Sequence, residues 1–443
     1  MRLLKVLLPL FAIILMVACN DEPYSCGSEP ISAPDNGIAK LSEEARSLAL
    51  EAMQWFGEPR SRSNGYAIDE SSIESLIAND SRSSECDTLF QIINFQDSAG
   101  YAIVGNIGGR KQLLAAVNGG HLSLNDNNLP VQDAILLESA RRYAVSVPID
   151  TSRRTWPNDG LYQTKTVIDT LSKECVEPLI GLHWGQSGMY GEYCPLYVAG
   201  CFPVAVGQMM AYFRPQGKFS YTYKNADIPF EYINWDEINM HKGGGHNENQ
   251  CPEEVHRTIP RILREIGERC EADYEKRPFA AGVATEKIRP TLSDVLPNCS
   301  NSPIMNFSYS SMMNTFKEGG IILILGNLID YTAEKPEPDG HAWLAEGYRF
   351  YDLRYRFLRK PKDLHSAWGY EEPWEVLEEK RYKECYIYYN MGFEGKGDRF
   401  VLSDLNLEIM NNHGTYNPGA FHYNNGPFDY YGCDMQLISV KKQ

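Results

Sequence analysis

The sequence has no run of basic residues, no Cys-x-x-Cys pair, no internal repeat and no long low-complexity stretch. Each absence removes a class of function. Lys and Arg number 42 against 58 Asp and Glu, for a net charge of −16. A phosphate backbone requires a basic face, so nucleic acid is excluded as the main partner. The eleven cysteines show neither zinc-ligand spacing nor a regular disulfide framework. Nothing in the chain calls for a cofactor. What is present is length and apolar content: 443 residues with 43% hydrophobic residues suffice for two domains, or one large domain with additions.

The N-terminus reads as a targeting segment over residues 1–18. Arg2 and Lys5 give a charged start, and Leu7–Val17 is an apolar run of 11 residues, where a bilayer-spanning helix takes about 20. The run closes on Leu15-Met16-Val17-Ala18-Cys19. A small residue before Cys in this setting resembles a bacterial lipoprotein signal, with cleavage leaving Cys19 as a lipid-bearing N-terminus. The alternative is an ordinary secretory signal with an incidental cysteine. Asn20-Asp21-Glu22 is similar to the surface-export signals of Bacteroidetes-type lipoproteins. The expected location is therefore the outer membrane or cell surface, anchored or released, with membrane contact only through the lipid. Apart from Cys19 and Cys201, nine cysteines remain. An odd number leaves at least one unpaired, and most read as buried thiols.

Residues 19–37, rich in Pro, Ser, Asp and Gly, read as a flexible tether. From Leu41 the spacing predicts a helix, with Ser42 as cap and Ala45, Leu48, Ala49, Ala52 and Met53 on one face. Leu89–Phe95, Tyr101–Gly105 and Leu113–Val117 read as strands, the first two joined through Asp97-Ser98-Ala99-Gly100. Residues 132–146 read as a helix, which completes a unit over 38–150. Residues 151–175 read as a linker. From 176 to the C-terminus aromatics and glycines become dense. Helices are expected at 201–213 and 253–269, and strands at Gly320–Gly326, His341–Tyr348, Tyr386–Asn390 and Met435–Val440.

The chemistry centres on Gly200-Cys201-Phe202-Pro203. Glycine before the cysteine and proline two residues after it suit the first turn of a helix. The positive end of the helix dipole there favours thiolate, the form that attacks a carbonyl. A thiol nucleophile needs a base, a group to orient the base, and donors for the oxyanion. His341 lies 140 residues on, Asn390 a further 49, and Gln186 lies 15 residues before the cysteine. This is the chain order of papain-type enzymes. Taken singly, each residue has a plainer explanation: a buried thiol for Cys201, a strand histidine for His341, a turn residue for Asn390, a loop residue for Gln186. His183 is the best rival base, and His241 with His246 the one pair open to a metal assignment.

Four segments taken together resemble the streptopain family of cysteine peptidases. They are Glu177–Gln186, Ala199–Tyr212, Gly340-His341-Ala342-Trp343 with Glu346-Gly347-Tyr348, and Asn390–Gly395 with Asp398-Arg399-Phe400. The resemblance implies an α+β fold over residues 176–443, a papain-like catalytic domain whose nucleophile helix packs on an antiparallel sheet. It implies Cys201 as nucleophile, His341 as base, Asn390 orienting the imidazole, Gln186 in the oxyanion hole, and protein or peptide substrates without a cofactor. Gly100–Val104 and Leu113–Val117 are similar to the family's pro-domain. They imply a small α+β inhibitory domain over 38–150 and a zymogen cut within 151–175, with Lys165 and Lys173 as candidate positions. The chain departs from the family where Met391 follows Asn390 in place of Trp, where Phe393 replaces a second Trp, and where residues 349–385 form an insertion. A catalytically weak or inactive surface-binding lipoprotein is the alternative, and an inhibitor-type lipoprotein or another thiol acyl transfer the further rivals.

Overall fold

The structure, a computed structural model, describes residues 41–57, 66–77, 88–126, 129, 131–147, 162–216, 218–221, 226–229, 233–243, 252–274, 282–330, 338–362, 373–405 and 431–443. The signal segment, Cys19, the tether and residues 151–161 of the expected linker lie outside this set.

The fold is α+β, as the sequence suggested. Its helices are α1 (Glu43–Gln54), α2 (Val131–Ser146), α3 (Cys201–Phe213), α4 (Trp235–Met240), α5 (Glu253–Arg269), α6 (Thr285–Val295) and α7 (Tyr309–Lys317). Its strands are β1 (Glu74–Ile77), β2 (Thr88–Asn94), β3 (Gly100–Ile107), β4 (Arg110–Asn118), β5 (Tyr162–Val176), β6 (Lys218–Tyr221), β7 (Ala226–Pro229), β8 (Cys299–Asn301), β9 (Met305–Asn306), β10 (Ile321–Asp330), β11 (Pro338–Pro361), β12 (Glu375–Asn390), β13 (Arg399–Leu402) and β14 (Tyr431–Lys442). Among the described residues no helix is long and apolar enough to cross a membrane.

Among the described residues one twelve-stranded sheet runs in the order β1-β2-β3-β4-β13-β12-β11-β10-β14-β8, with β5 also on β11 and β9 on β14, and β6 and β7 pair separately. Alternating side chains on the central strands of this sheet supply two separate cores. On β10, Ile321 and Leu323 join the core under α3, α5 and α6, while Ile322 and Ile324 join the core on the other side. That second core is continuous with the N-terminal unit, where Ala45, Ala49, Ala52 and Met53 of α1 are buried. Ser42 caps α1 as expected, its hydroxyl accepting from the Ala45 N–H at 3.2 Å.

Residues read as a linker hold a 15-residue strand instead. β5 pairs antiparallel with β11 from Tyr348↔Val176 to Pro361↔Tyr162. Together with β12 these strands form a three-stranded arm, so the described part of the 349–385 insertion extends the sheet. Lys165 and Lys173 lie inside β5, opposite Leu358 and Tyr351. Asp169 of β5 receives Arg354 at 3.1 Å and Arg356 at 2.9 Å. Thr164, Thr166, Val167, Ile168 and Thr170 are strand-forming residues, a signal outweighed in the sequence by the strand's exposed, polar character.

The N-terminal unit grips the rest of the molecule in three ways. β4 pairs with β13 through Val117↔Arg399, Ala116↔Phe400 and Ala115↔Val401. Trp55 packs its ring against Tyr386 at 5.2 Å and Phe400 at 5.2 Å. Arg110 of β4 is buried against the arm, 2.5 Å from Glu384 and 4.2 Å from the Tyr382 ring centroid. The Tyr386 hydroxyl donates to the other oxygen of Glu384 at 2.6 Å.

Removing one partner of a buried ion pair leaves the other charged and unpaired, at a cost of about 3–5 kcal/mol, whereas replacing both by apolar residues is often neutral. Arg110→Ala is therefore expected to lower unfolding stability by about 3 kcal/mol or more in urea titration, and Arg110→Met with Glu384→Leu to recover most of it. A single-variant loss of less than about 1 kcal/mol means the pair does not hold the two halves together.

Candidate active site

Cys201 opens α3, as its neighbours suggested. The preceding Gly200 has φ 93° and ψ 155°, a conformation open in practice only to glycine. No side chain caps the helix, so the positive end of its dipole stays at the thiol. The rest of α3 is almost entirely buried, from Phe202 through Ala211, which fixes the helix as a rigid mount.

Cys201, Val204 and Gln208 share one face of α3 by helical spacing. That face meets the chain after β12. A β-carbon added to Gly392 would stand 3.5 Å from Val204 Cγ1. Gln208, fully buried, exchanges hydrogen bonds with Asn390: its Oε1 accepts from Asn390 Nδ2 at 3.2 Å, and its Nε2 donates to Asn390 Oδ1 at 3.5 Å. Gln208 Oε1 also accepts the Trp184 N–H at 3.3 Å.

His341 lies on β11 with its ring between Trp343 and Phe393, at centroid distances of 5.6 and 5.3 Å and interplanar angles of 19° and 6°. Its Nε2 lies 3.3 Å from the Met391 carbonyl oxygen. With Nε2–H donating there, Nδ1 carries the basic lone pair.

Asn390 takes a different place from the one its motif implied. Its amide nitrogen donates to the Leu182 carbonyl at 2.6 Å and faces Gln208 Oε1 and Glu346 Oε1, each at 3.2 Å. Its oxygen accepts the Gly392 N–H at 3.2 Å. Among the described residues it makes no hydrogen bond to His341. It holds instead the Met391–Gly392 peptide, the same peptide whose carbonyl receives His341. The departure at Met391 is explained too: this side chain is buried in the core shared with the N-terminal unit, and Phe393 and Trp343 cover the imidazole.

Gln186 stands at the end of the Leu182–Gln186 segment, only 3% exposed. Its backbone carbonyl accepts the Ala199 N–H at 2.7 Å, which ties it to the approach to Cys201. Neither its side-chain nitrogen nor its oxygen has a partner among the described residues.

His183, the rival base, is committed elsewhere: its Nδ1 lies 2.7 Å from Asp398 Oδ2, with both groups buried. His241 Nε2 lies 2.9 Å from the Tyr190 hydroxyl, and its carbonyl accepts the Trp184 indole N–H at 3.1 Å. His246 lies outside the described residues. Among the described residues Cys175, Cys194, Cys201, Cys270, Cys299 and Cys385 form no disulfide.

Three participants lie inside the family-like segments without a role assigned from the motifs: Gln208, Glu346 and Asp398. A polar residue two turns into an apolar helix, and a charge inside the apolar strand Ala342–Tyr348, were the available signals. Glu346 is fully buried, accepting from the Ile180 N–H at 2.5 Å and from Asn390. Burial pushes its carboxyl up to about 7, against the pull of those donors.

Residues 184–400 match the Peptidase C10 family. No curated protein and no solved structure matches the chain.

The raised Glu346 carboxyl carries a pH consequence. The folded state keeps this proton between the ordinary value of 4.5 and about 7, where the unfolded chain has lost it. The folded state then binds more protons, so stability falls as pH rises through that window. Wild type is expected to lose melting temperature between pH 5 and pH 8 relative to Glu346→Gln, whatever the variant's absolute stability. Parallel profiles would show that Glu346 does not titrate in this range.

Proposed function

Because the chain belongs through residues 184–400 to the streptopain family of cysteine peptidases, we propose that it is an exported, lipid-anchored endopeptidase made as a zymogen, with Cys201 as nucleophile and His341 as base. His341 Nδ1 takes the thiol proton, and the thiolate attacks a peptide carbonyl. The Gln186 amide N–H and the Cys201 N–H stabilise the oxyanion. His341 then protonates the leaving amine, and water releases the acyl-enzyme. Asn390 orients the imidazole one step removed, through the Met391–Gly392 peptide.

The observation that carries this assignment is the Gln186 side chain, buried with neither polar atom partnered among the described residues. An unsatisfied buried amide costs about 1–3 kcal/mol unless its partner arrives with the substrate. The flanking of His341 by Trp343 and Phe393 adds support, since stacking on two aromatic rings holds the imidazole in one plane. The binding-protein alternative drew on Met391, whose side chain lies in the core and not over the imidazole.

The N-terminal unit is assigned as the pro-domain. Its Asn118 N–H donates to the Asp398 carbonyl at 2.8 Å, and its Asn118 carbonyl accepts the Gly397 N–H at 3.0 Å, beside the loop that holds His341. Cleavage at Lys165 or Lys173 would first require β5 to peel from β11, because a protease takes an unpaired, extended segment. Lipidation at Cys19 rests on the sequence alone.

The test uses the chain lacking residues 1–19, wild type beside Cys201→Ala, in reductant. Wild type is expected to shed an N-terminal fragment by intact mass, to digest casein and to be labelled on Cys201 by a cysteine-directed epoxide, and the variant to do none of these. Gln186→Ala is expected to lower kcat by roughly 100- to 1,000-fold while Cys201 stays labelled. A wild type that stays whole and unlabelled, even after limited trypsin treatment, would favour the binding protein.

A further inference from the structure

Resting on the assignment of Cys201 and His341 above, we propose that the buried Asp398–His183 pair is a positioning device that sets the catalytic histidine and the oxyanion segment together. Asp398 is fully buried, and three donors converge on its carboxylate. Oδ1 accepts the Met391 N–H at 2.9 Å. Oδ2 lies 2.7 Å from His183 Nδ1 and accepts the Tyr388 hydroxyl at 3.2 Å. Burying a carboxylate is costly unless such donors surround it, and an apolar residue would serve packing alone better.

The donors come from the parts of the site that must stay in register. Met391 is the residue whose carbonyl receives His341 Nε2. Asp398 fixes the N–H on one side of that residue, and Asn390 fixes the Gly392 N–H on the other. With both flanking peptides held, the Met391 carbonyl has one direction to point. His183 stands three residues before Gln186. Its own N–H donates to the Lys242 carbonyl at 2.7 Å, and the next carbonyl, that of Trp184, accepts the Glu394 N–H at 3.2 Å.

The loop also closes over the His183 ring. A β-carbon on Gly395, which sits at φ +80°, would lie 3.3 Å from His183 Cγ. Glycine permits both the backbone angle and the close approach. A shift of Asp398 would thus move the His341 acceptor and the Gln186 segment at once. Neither Asp398 nor His183 touches a reacting atom in this scheme, and both act through the groups they hold.

The test compares Asp398→Asn, His183→Leu and His183→Asn in the full-length chain, in reductant. The readouts are kcat and KM on a fluorogenic peptide, the rate at which iodoacetamide captures Cys201, and thermal melting. Asparagine at 183 keeps a neutral N–H donor near the Nδ1 position, and leucine removes it. Asp398→Asn and His183→Leu are expected to lower kcat by about 10- to 100-fold with KM within about threefold, as small misplacements of catalytic groups do. They should also slow capture of Cys201, and His183→Asn should recover most of the loss. A folded Asp398→Asn or His183→Leu with wild-type kcat and capture rate would overturn the proposal. So would a His183→Asn no better than His183→Leu. If Asp398→Asn fails to fold, the His183 pair decides, together with Tyr388→Phe, which removes one donor alone. A wild type with neither turnover nor Cys201 capture is a different result: it defeats the catalytic assignment itself, and this proposal with it.

Discussion

Asn390 is completely buried, and every polar atom of its side chain must find a partner inside the protein. That constraint organises the centre of the molecule. Gln208 reaches it from α3, Glu346 from β11, the Leu182 carbonyl from the segment leading to Gln186, and the Gly392 N–H from the loop beyond. Satisfying one amide thus brings the helix of Cys201, the strand of His341 and the segment leading to Gln186 to a single point. In a low-dielectric interior such a network holds its geometry, because breaking any bond leaves a group unpaired. The Met391 carbonyl then has a fixed direction, and His341 follows it.

The same economy of strands joins the N-terminal unit to the rest. β4 continues the sheet at β13, one residue after Asp398, so the pro-domain assigned here is part of the sheet and not a separate lobe lying against it. Its core is shared as well: Ala45 and Met53 lie in one cluster with Ile322, Tyr386 and Met391. A unit attached in this way does not leave merely because a connecting peptide is cut. Strand pairs, an aromatic cluster around Trp55 and the buried Arg110–Glu384 pair must also separate, and the apolar face left behind would meet water. The inserted arm supplies Tyr355, Tyr382 and Glu384 to this junction, which gives the insertion a structural role on the side of the N-terminal unit.

Much of this was legible in the sequence where local chemistry decides the outcome. The Ser42 cap, the alternating strands around Gly100 and the helix beginning at Cys201 follow from short-range rules. Cys201, His341 and Gln186 occupy a helix start, a strand and the segment preceding that helix, as their neighbours implied. The partners of Asn390 could not be read in this way. They come from positions as distant in sequence as Leu182 and Gln208, and only the folded sheet brings them together. β5 was missed for a related reason. A strand exposed along most of its length carries little hydrophobic pattern, and the decision to pair is made by its partner β11.

Met391 shows how a motif substitution can mislead when side chain and backbone do different work. The side chain faces the core and the carbonyl faces His341. Any residue except proline would offer Asp398 the same N–H, and every residue offers the same carbonyl. The hydrogen bond that orients the imidazole is therefore insensitive to the side chain at this position, provided the core behind it stays filled. The apolar cover over that bond is set two residues later, by Phe393, and from the other side of the ring by Trp343. Exchange of Trp for Met at 391 consequently alters packing against the N-terminal unit more than it alters the histidine, and the place where a side-chain change would reach the chemistry is 393.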